Sequence, residues 1–228
     1  MSSTCPTEGD ARRARVLIVD DHPIVTQGLT RLIGQEADLE VCGCAADVPS
    51  ALGAIAALKP DVAIVDLSLG SASGLQLIKD CKVRHPELPI LVLSMHDEVL
   101  YAERVLRAGA KGYVMKKDTP ETVLAALRRV LGGTIYLSNH MASRLLQGMV
   151  GARPVAPSSL VGLLSDRELE VFEHLGRGVG TQQIAEILHL SPKTVETHRA
   201  HIKEKLQLKT ATELFQHAMN WVQNEAPQ

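Results

Sequence analysis

Five short apolar runs, four of them ending on a polar residue able to do chemistry, constrain this chain more than any other feature. Val16–Val19 runs into Asp20 and Asp21, and Val62–Leu67 carries Asp66 after Val-Ala-Ile-Val. Ile90–Ser94 closes on Ser94, Gly112–Met115 is followed by Lys116, and Leu39–Cys44 is the fifth run. Runs this short, continuous and bounded by turn residues read as strands buried on both faces. Between them lie helical spacings: Val25, Leu29, Leu32 and Ile33; Leu52, Ile55 and Leu58; Leu75, Leu77 and Ile78; Leu100, Val105 and Leu106; Val123, Leu124, Leu127 and Leu131. Thr119 and Pro120 give the last helix an N-cap followed by proline at its first position. Strands and helices alternating in this way predict an α/β fold, a doubly wound five-stranded parallel sheet with helices on both faces.

In such a sheet, ligands bind beyond the carboxyl ends of the strands. Asp20, Asp21, Asp66, Ser94 and Lys116 therefore converge on one rim. The carboxylates repel one another unless a cation sits among them, and a hard, oxygen-seeking Mg²⁺ fits that need. A carboxylate is also a nucleophile for phosphoryl groups, and a metal with a lysine would offset the charge on the transferred oxygens. Any one of these acids alone reads as a solvated strand end. Their convergence from separate segments is what points to phosphoryl chemistry.

The second part of the chain has a different grammar. One more helical pattern runs from Leu137 to Met149, and GARPVAPSSLVG then reads as a linker. Beyond it the strand signal disappears. Ser165 and Glu168 form a capping box for a helix carrying Leu169, Val171, Phe172 and Leu175, which Gly176–Gly180 ends. Thr181 opens a short helix with Ile184, Ala185, Ile187 and Leu188, and Ser191-Pro192 caps a third with Val195, Ile202 and Leu206 inward. A fourth covers residues 211–222. The middle pair has the proportions of a helix-turn-helix, so the expectation is a smaller all-α domain.

Charge sharpens that reading. The net charge is only −2. Residues 165–190 set Arg167 and Arg177 against Asp166, Glu168, Glu170, Glu173 and Glu186, a net of −3. Residues 191–210 set Lys193, Arg199, Lys203, Lys205 and Lys209 against Glu196 and Glu204, a net of +3. This is a local polarity that suits a polyanion, although a solvated helix face is the plainer alternative. Lys193, Thr194, Glu196 and Thr197 lie outward near the helix start, where they can bond phosphates or base edges.

Composition excludes other classes. An apolar share of 45% and a charged share of 22% are those of a globular protein. With one Trp, three Tyr and two Phe, the core must be built from Ala, Val, Leu and Ile. No apolar run nears the ~18 residues of a membrane span, and MSSTCPTEGDARRAR lacks a secretory apolar stretch, so a cytoplasmic protein without membrane association is expected. Cys5, Cys42, Cys44 and Cys81 lack CxxC spacing and read as small buried hydrophobes, Cys42 and Cys44 on one face of a strand.

On these motifs, residues 15–133 resemble a receiver domain of two-component response regulators. Residues 163–222 resemble a LuxR-type helix-turn-helix: Leu164-Ser165-x-Arg167-Glu168-x-Glu170-Val171, then Gly178, Ile184-Ala185 and Leu188. Ser191-x-x-Thr194-Val195-x-Thr197-His198, Ile202 and Lys205-Leu206 complete it. Together they resemble a NarL/FixJ-family response regulator. The resemblance implies that Asp66 is the phospho-acceptor, and that Asp20, Asp21 and Asp66 hold Mg²⁺ with the backbone carbonyl of Ser68. It implies that Ser94 bonds a phosphoryl oxygen, Lys116 pairs with the phosphate, and Tyr113 is a switch aromatic that turns inward. It makes Thr194–Leu206 the recognition helix, with Lys193, Thr194, Glu196, Thr197, Arg199, Ala200, Lys203 and Lys205 toward DNA, and the last helix a dimer contact. The implied partners are a sensor histidine kinase, double-stranded DNA and, on phosphorylation, a second copy of the chain, in a bacterial cytoplasm. The implied division is a tail over 1–14, the receiver over 15–133, a linker with a helix over 134–162, and the DNA-binding domain over 163–228. No enzyme activity beyond its own phosphoryl transfer and dephosphorylation is implied.

Leu69-Gly70 stands where Met-Pro is common, Lys117 where proline often follows the lysine, Gly180-Thr181 where Ser-Asn is frequent, and Glu196 where a base is usual. A Mg²⁺-dependent phosphohydrolase with Asp66 as nucleophile is the enzyme alternative, but Asp66-Leu67-Ser68 offers no second acid and no cap insertion is evident. A DNA regulator independent of phosphorylation is the other alternative.

Overall fold

The computed structural model describes residues 12–69, 72–150 and 160–225. Cys5, Gly70 and the GARPVAPSS part of the expected linker lie outside the described residues. Five parallel strands form the sheet: β1 (Ala14–Val19), β2 (Leu39–Ala45), β3 (Val62–Val65), β6 (Ile90–Ser94) and β7 (Gly112–Met115), in the order β2-β1-β3-β6-β7. Two two-residue strands, β4 (Ser68–Leu69) and β5 (Ala72–Ser73), make a small antiparallel ladder after β3. The chain order reverses between β1 and β3, which lie side by side from Val16↔Val62 to Val19↔Val65. That is the switch point at which doubly wound sheets bind ligands.

Alternation along the strands divides the core. Val16, Ile18, Ile64, Leu91 and Leu93 face helices α1 (Pro23–Gly34) and α5 (Pro120–Leu131), meeting Leu29, Ile33, Leu124 and Leu127. Leu17, Val19, Ala63, Val65 and Val92 face α2 (Val48–Leu58), α3 (Gly74–Arg84) and α4 (Glu98–Ala108). Successive residues of a strand point to opposite faces, so a continuous apolar run feeds both layers. The helices start where the caps stand: Asp47 with Ser50 in a capping box, Ser73, Asp97, and Thr119 before Pro120.

Strand β2 is the exception. It is an edge strand, and its pairing slips: Val16 faces Val41 but Leu17 faces Gly43, leaving Cys42 as the extra residue. The expectation of buried cysteines is corrected here, since Cys44 is exposed and Cys42 half-buried. Only Cys81 is enclosed among the described three, and burial pushes its thiol up to about 11. The other edge of the sheet is covered. Tyr136 bridges Gly112 in parallel, so the chain leaving α5 runs beside β7 before α6 (Asn139–Val150) begins.

After a 3₁₀ turn (Leu160–Leu163) come α7 (Asp166–Gly176), α8 (Thr181–Ile187), α9 (Pro192–Lys205) and α10 (Ala211–Glu225). Helices α7 and α10 approach so closely that a Cβ on Gly176 would lie 2.4 Å from the Ala218 carbonyl oxygen. Phe172 packs on Trp221 beside them, ring centroids 5.4 Å apart. Among the described residues no helix is long and apolar enough to cross a membrane.

Candidate functional site

The strand ends deliver the acidic rim. Asp20 follows β1 and Asp66 follows β3; both are buried, with side chains 3% exposed. Lys116, beyond β7, reaches back with its Nζ 2.6 Å from Asp66 Oδ2 and 2.7 Å from Asp20 Oδ2. Burial pushes the Asp66 carboxyl above its usual range, against the pull of the Lys116 ammonium. Burial also works against the ammonium, but the two carboxylates outweigh it and hold Lys116 more firmly protonated than usual. Asp66 Oδ1 is buried and makes no full hydrogen bond. Ser94, wholly buried at the end of β6, is the neighbouring hydroxyl.

Asp20, Asp21, Asp66 and His22 each offer a ligand atom within 4.8 Å of the others. His22 was not foreseen from the sequence. Its amide donates to Asp20 Oδ1 at 2.8 Å, and its Nδ1 lies 3.1 Å from that atom and 2.8 Å from Asp21 Oδ1. It also precedes Pro23 at the start of α1 and so fixes where the helix leaves the rim. Asp66 Oδ1, buried and without a full hydrogen bond amid other oxygen donors, suits a hard divalent cation.

Gly74 is a second unforeseen contributor. A Cβ there would lie 1.9 Å from the Asp66 carbonyl oxygen, and the Gly74 amide donates to the Leu67 carbonyl at 2.8 Å. Only glycine lets α3 begin so near the acidic loop. Tyr113 lies inward with its ring buried, and its hydroxyl donates to the His96 carbonyl at 2.9 Å. The inward position expected only after phosphorylation is thus already occupied.

The second candidate surface lies in the helical unit. Ser191 caps α9, accepting from the Thr194 amide at 3.0 Å, with Pro192 at the first position. Lys193, Glu196, Thr197 and Ala200 are exposed. An open depression of about 740 Å³ lies between the starts of α8 and α9, lined by Gly180, Thr181, Gln182, Gln183, Pro192, Lys193 and Glu196. Helix starts carry partial positive charge and free amides, which suit a phosphate backbone. Arg199 is committed in part, donating to Thr181 Oγ1 at 2.6 Å and Glu196 Oε1 at 2.7 Å. Lys203 is half-buried. Lys205 departs from the expectation: its Nζ turns to Glu168 Oε2 at 2.6 Å, so it braces α7 rather than standing on the open face. Helix α7 needs a cation there because the Glu168 side chain is only 5% exposed.

Comparisons with known proteins identify the two parts of the chain. A family model described as a response regulator receiver domain matches residues 16–128, and one described as bacterial regulatory proteins of the luxR family matches residues 162–218. The oxygen regulatory protein NreC of Staphylococcus haemolyticus is 37% identical over 209 residues, 90% of this chain and 96% of that protein. A solved structure of the RcsB response regulator of Salmonella typhimurium is 28% identical, with a TM-score of 0.62 over 91% of this chain and 98% of that one. RcsB bound to the promoter rprA in the presence of the phosphomimetic BeF3- is 27% identical, with a TM-score of 0.59 over 91% and 99%.

Proposed function

The chain belongs to the two-component response regulators that couple a receiver domain to a LuxR-type DNA-binding domain, and from that premise we propose that Asp66 is its phospho-acceptor. One observation carries the reading: a buried carboxylate at the switch point, held by Lys116 on one oxygen, whose other oxygen is without a full hydrogen bond. In the proposed step, a carboxylate oxygen of Asp66 attacks the phosphorus of a phosphohistidine on a sensor kinase. The new O–P bond forms as the N–P bond breaks, and the kinase histidine leaves with the electron pair and takes up a proton. Lys116 would follow the charge onto the phosphoryl oxygens, and the Ser94 hydroxyl would donate to one of them. Asp20, Asp21, Asp66 and the Ser68 carbonyl would hold Mg²⁺, which when bound supplies countercharge to the transferred group.

The regulator would then act in a bacterial cytoplasm as a homodimer on double-stranded DNA, with α9 reading the major groove and α10 joining the copies. Lys193, Thr194, Glu196, Thr197, Arg199, Ala200 and Lys203 form the proposed contact surface. The proposed partition keeps the tail to residue 14, the receiver to 133 and the linker to 162. The chain is read as a binding protein, its only chemistry its own phosphorylation and dephosphorylation. The test is an Asp66→Asn variant given radiolabelled acetyl phosphate, with mass and operator binding measured on the same sample. Loss of label with a retained fold is expected, whereas persistent labelling would reject the acceptor.

A further inference from the structure

The exposed start of α9 carries one acid, Glu196, beside Lys193. Glu196 lies on the second turn of that helix, in the part of a reading helix that meets base edges, and its side chain is 57% exposed. A carboxylate on a surface that faces phosphates is repelled by them, so its presence there needs a cause. The way its charge is held supplies one. Arg199, one turn further on, donates to Glu196 Oε1 at 2.7 Å, and the Thr181 hydroxyl donates to the same oxygen at 2.8 Å. Arg199 also donates to Thr181 Oγ1 at 2.6 Å, closing a triangle between α9 and the first residue of α8.

The guanidinium offsets the charge that phosphates would repel. Both donors sit on Oε1, and no hydrogen bond reaches Oε2 among the described residues. That second oxygen keeps its acceptor capacity, on a side chain that lines the open depression between α8 and α9. Fixing the carboxylate beforehand also lowers the entropy lost when it meets a ligand. A carboxylate accepts and never donates, and in the major groove only the amino groups of cytosine and adenine donate to it. Beside the adenine amino group lies N7, an acceptor that repels a carboxylate, whereas cytosine presents no acceptor there. Guanine O6 and N7 and thymine O4 repel it outright. The chemistry of this oxygen therefore singles out one base.

We propose that Glu196 reads cytosine, accepting through Oε2 from the exocyclic amino group, and that Thr181 is a positioning residue that holds the carboxylate for this contact. The proposal deepens the reading of α9 as the helix in the major groove and rests on it. The plainer role for the triangle is a tie between α8 and α9, and the two roles separate on base preference. Glu196→Gln exchanges one acceptor oxygen for an amide nitrogen, giving the donor and acceptor pair that matches adenine N7 and N6. Thr181→Val removes the hydroxyl at nearly constant shape, and Thr181→Ser keeps it.

The test selects and sequences bound duplexes from a random pool, using the full chain with and without acetyl phosphate, and then measures affinity for the selected duplex. The parent should enrich cytosine at one position of each half-site, and replacing that base pair in one half-site should weaken binding about tenfold. Glu196→Gln should move the choice to adenine at that position alone, and Glu196→Ala should flatten it there. Thr181→Val should blunt the cytosine preference and Thr181→Ser should restore it. Preferences unaltered at every position in the Glu196 variants overturn the proposal, since the triangle is then only a tie. An even change of affinity across all sequences overturns it too, because charge alone would be at work. Guanine or thymine at the position that Glu196 controls overturns the acceptor role, and a Thr181→Val chain that discriminates like the parent removes the positioning role. If the parent selects no sequence and Lys193→Ala binds the pool as the parent does, the reading of α9 itself fails, and this inference with it.

Discussion

Replacing Gly74 by alanine puts the geometry of the acidic rim to its most direct test. The added Cβ would lie 1.9 Å from the Asp66 carbonyl oxygen and 2.9 Å from both the Asp66 carbonyl carbon and Leu67 Cα. An ordinary contact between carbon and oxygen is about 3.3 Å, so roughly 1.4 Å must be found. No flexible side-chain end can yield it there, because the three nearest atoms are all backbone. The same backbone is tied at both ends: the Asp66 amide donates to Val19 at 2.9 Å and the Leu67 carbonyl accepts from Gly74 at 2.8 Å. Overpacking costs about 1–3 kcal/mol, and a pinned backbone puts Gly74→Ala near about 3 kcal/mol. A displacement of Asp66 on the order of 1 Å should also slow phosphoryl transfer about 100-fold. Urea unfolding and the rate of labelling by acetyl phosphate read the two effects. Gly53→Ala is the control: it lies in α2 with nothing within 4 Å of its Cβ and should gain about 0.5–1 kcal/mol. If Gly74→Ala unfolds and labels like the parent, the close approach of α3 to Asp66 is not what shapes the site.

Asp66→Asn should melt higher than the parent at neutral pH, by on the order of 1 kcal/mol, because function keeps a costly charge buried. Its raised carboxyl pKa makes the ionised form the unfavourable one, so the gain should vanish in acid; an Asn variant less stable at pH 7 would contradict this. Glu168 behaves oppositely. Burial works against its charge, but Lys205 and Ser165 hold its pKa below the usual range. That stabilisation is complete above the unfolded value of about 4.5 and is lost as pH falls through the lower folded value. Denaturant titrations of the full chain from pH 6 downward should show this acid loss shrink in Glu168→Gln. Lys193→Ala should reduce the salt slope of operator binding by about one unit. Lys205→Ala should leave the slope unchanged and cost about 1 kcal/mol of stability, discounted for its partial exposure; the reverse pattern would return Lys205 to the DNA surface.

The sheet was legible because its strands are apolar runs whose chemistry sits at their ends, and Asp20, Asp66, Ser94 and Lys116 needed only the parallel topology to meet. What local pattern could not reveal falls into two kinds. The β4–β5 ladder is too short to leave a periodicity, and the Cys42 bulge depends on register with β1. Lys205 and His96 are governed by partners far along the chain, Glu168 and Glu173, so a helical wheel or a strand boundary says nothing of them. Glycines are a middle case: Gly74 is visible as a letter, but its reason is a carbonyl eight residues earlier.

The open face of α9 has a consequence for how such a regulator would find its targets. With Lys193 turned to solvent, a lone molecule would keep a cation with which to meet duplex phosphates. Switching would then govern how many half-sites are grasped at once. For two tethered readers the second grasp is set by effective concentration, in the millimolar range for short connections. A modest change in how the halves are held thus becomes a change of orders of magnitude in promoter occupancy, with no new contact to any base.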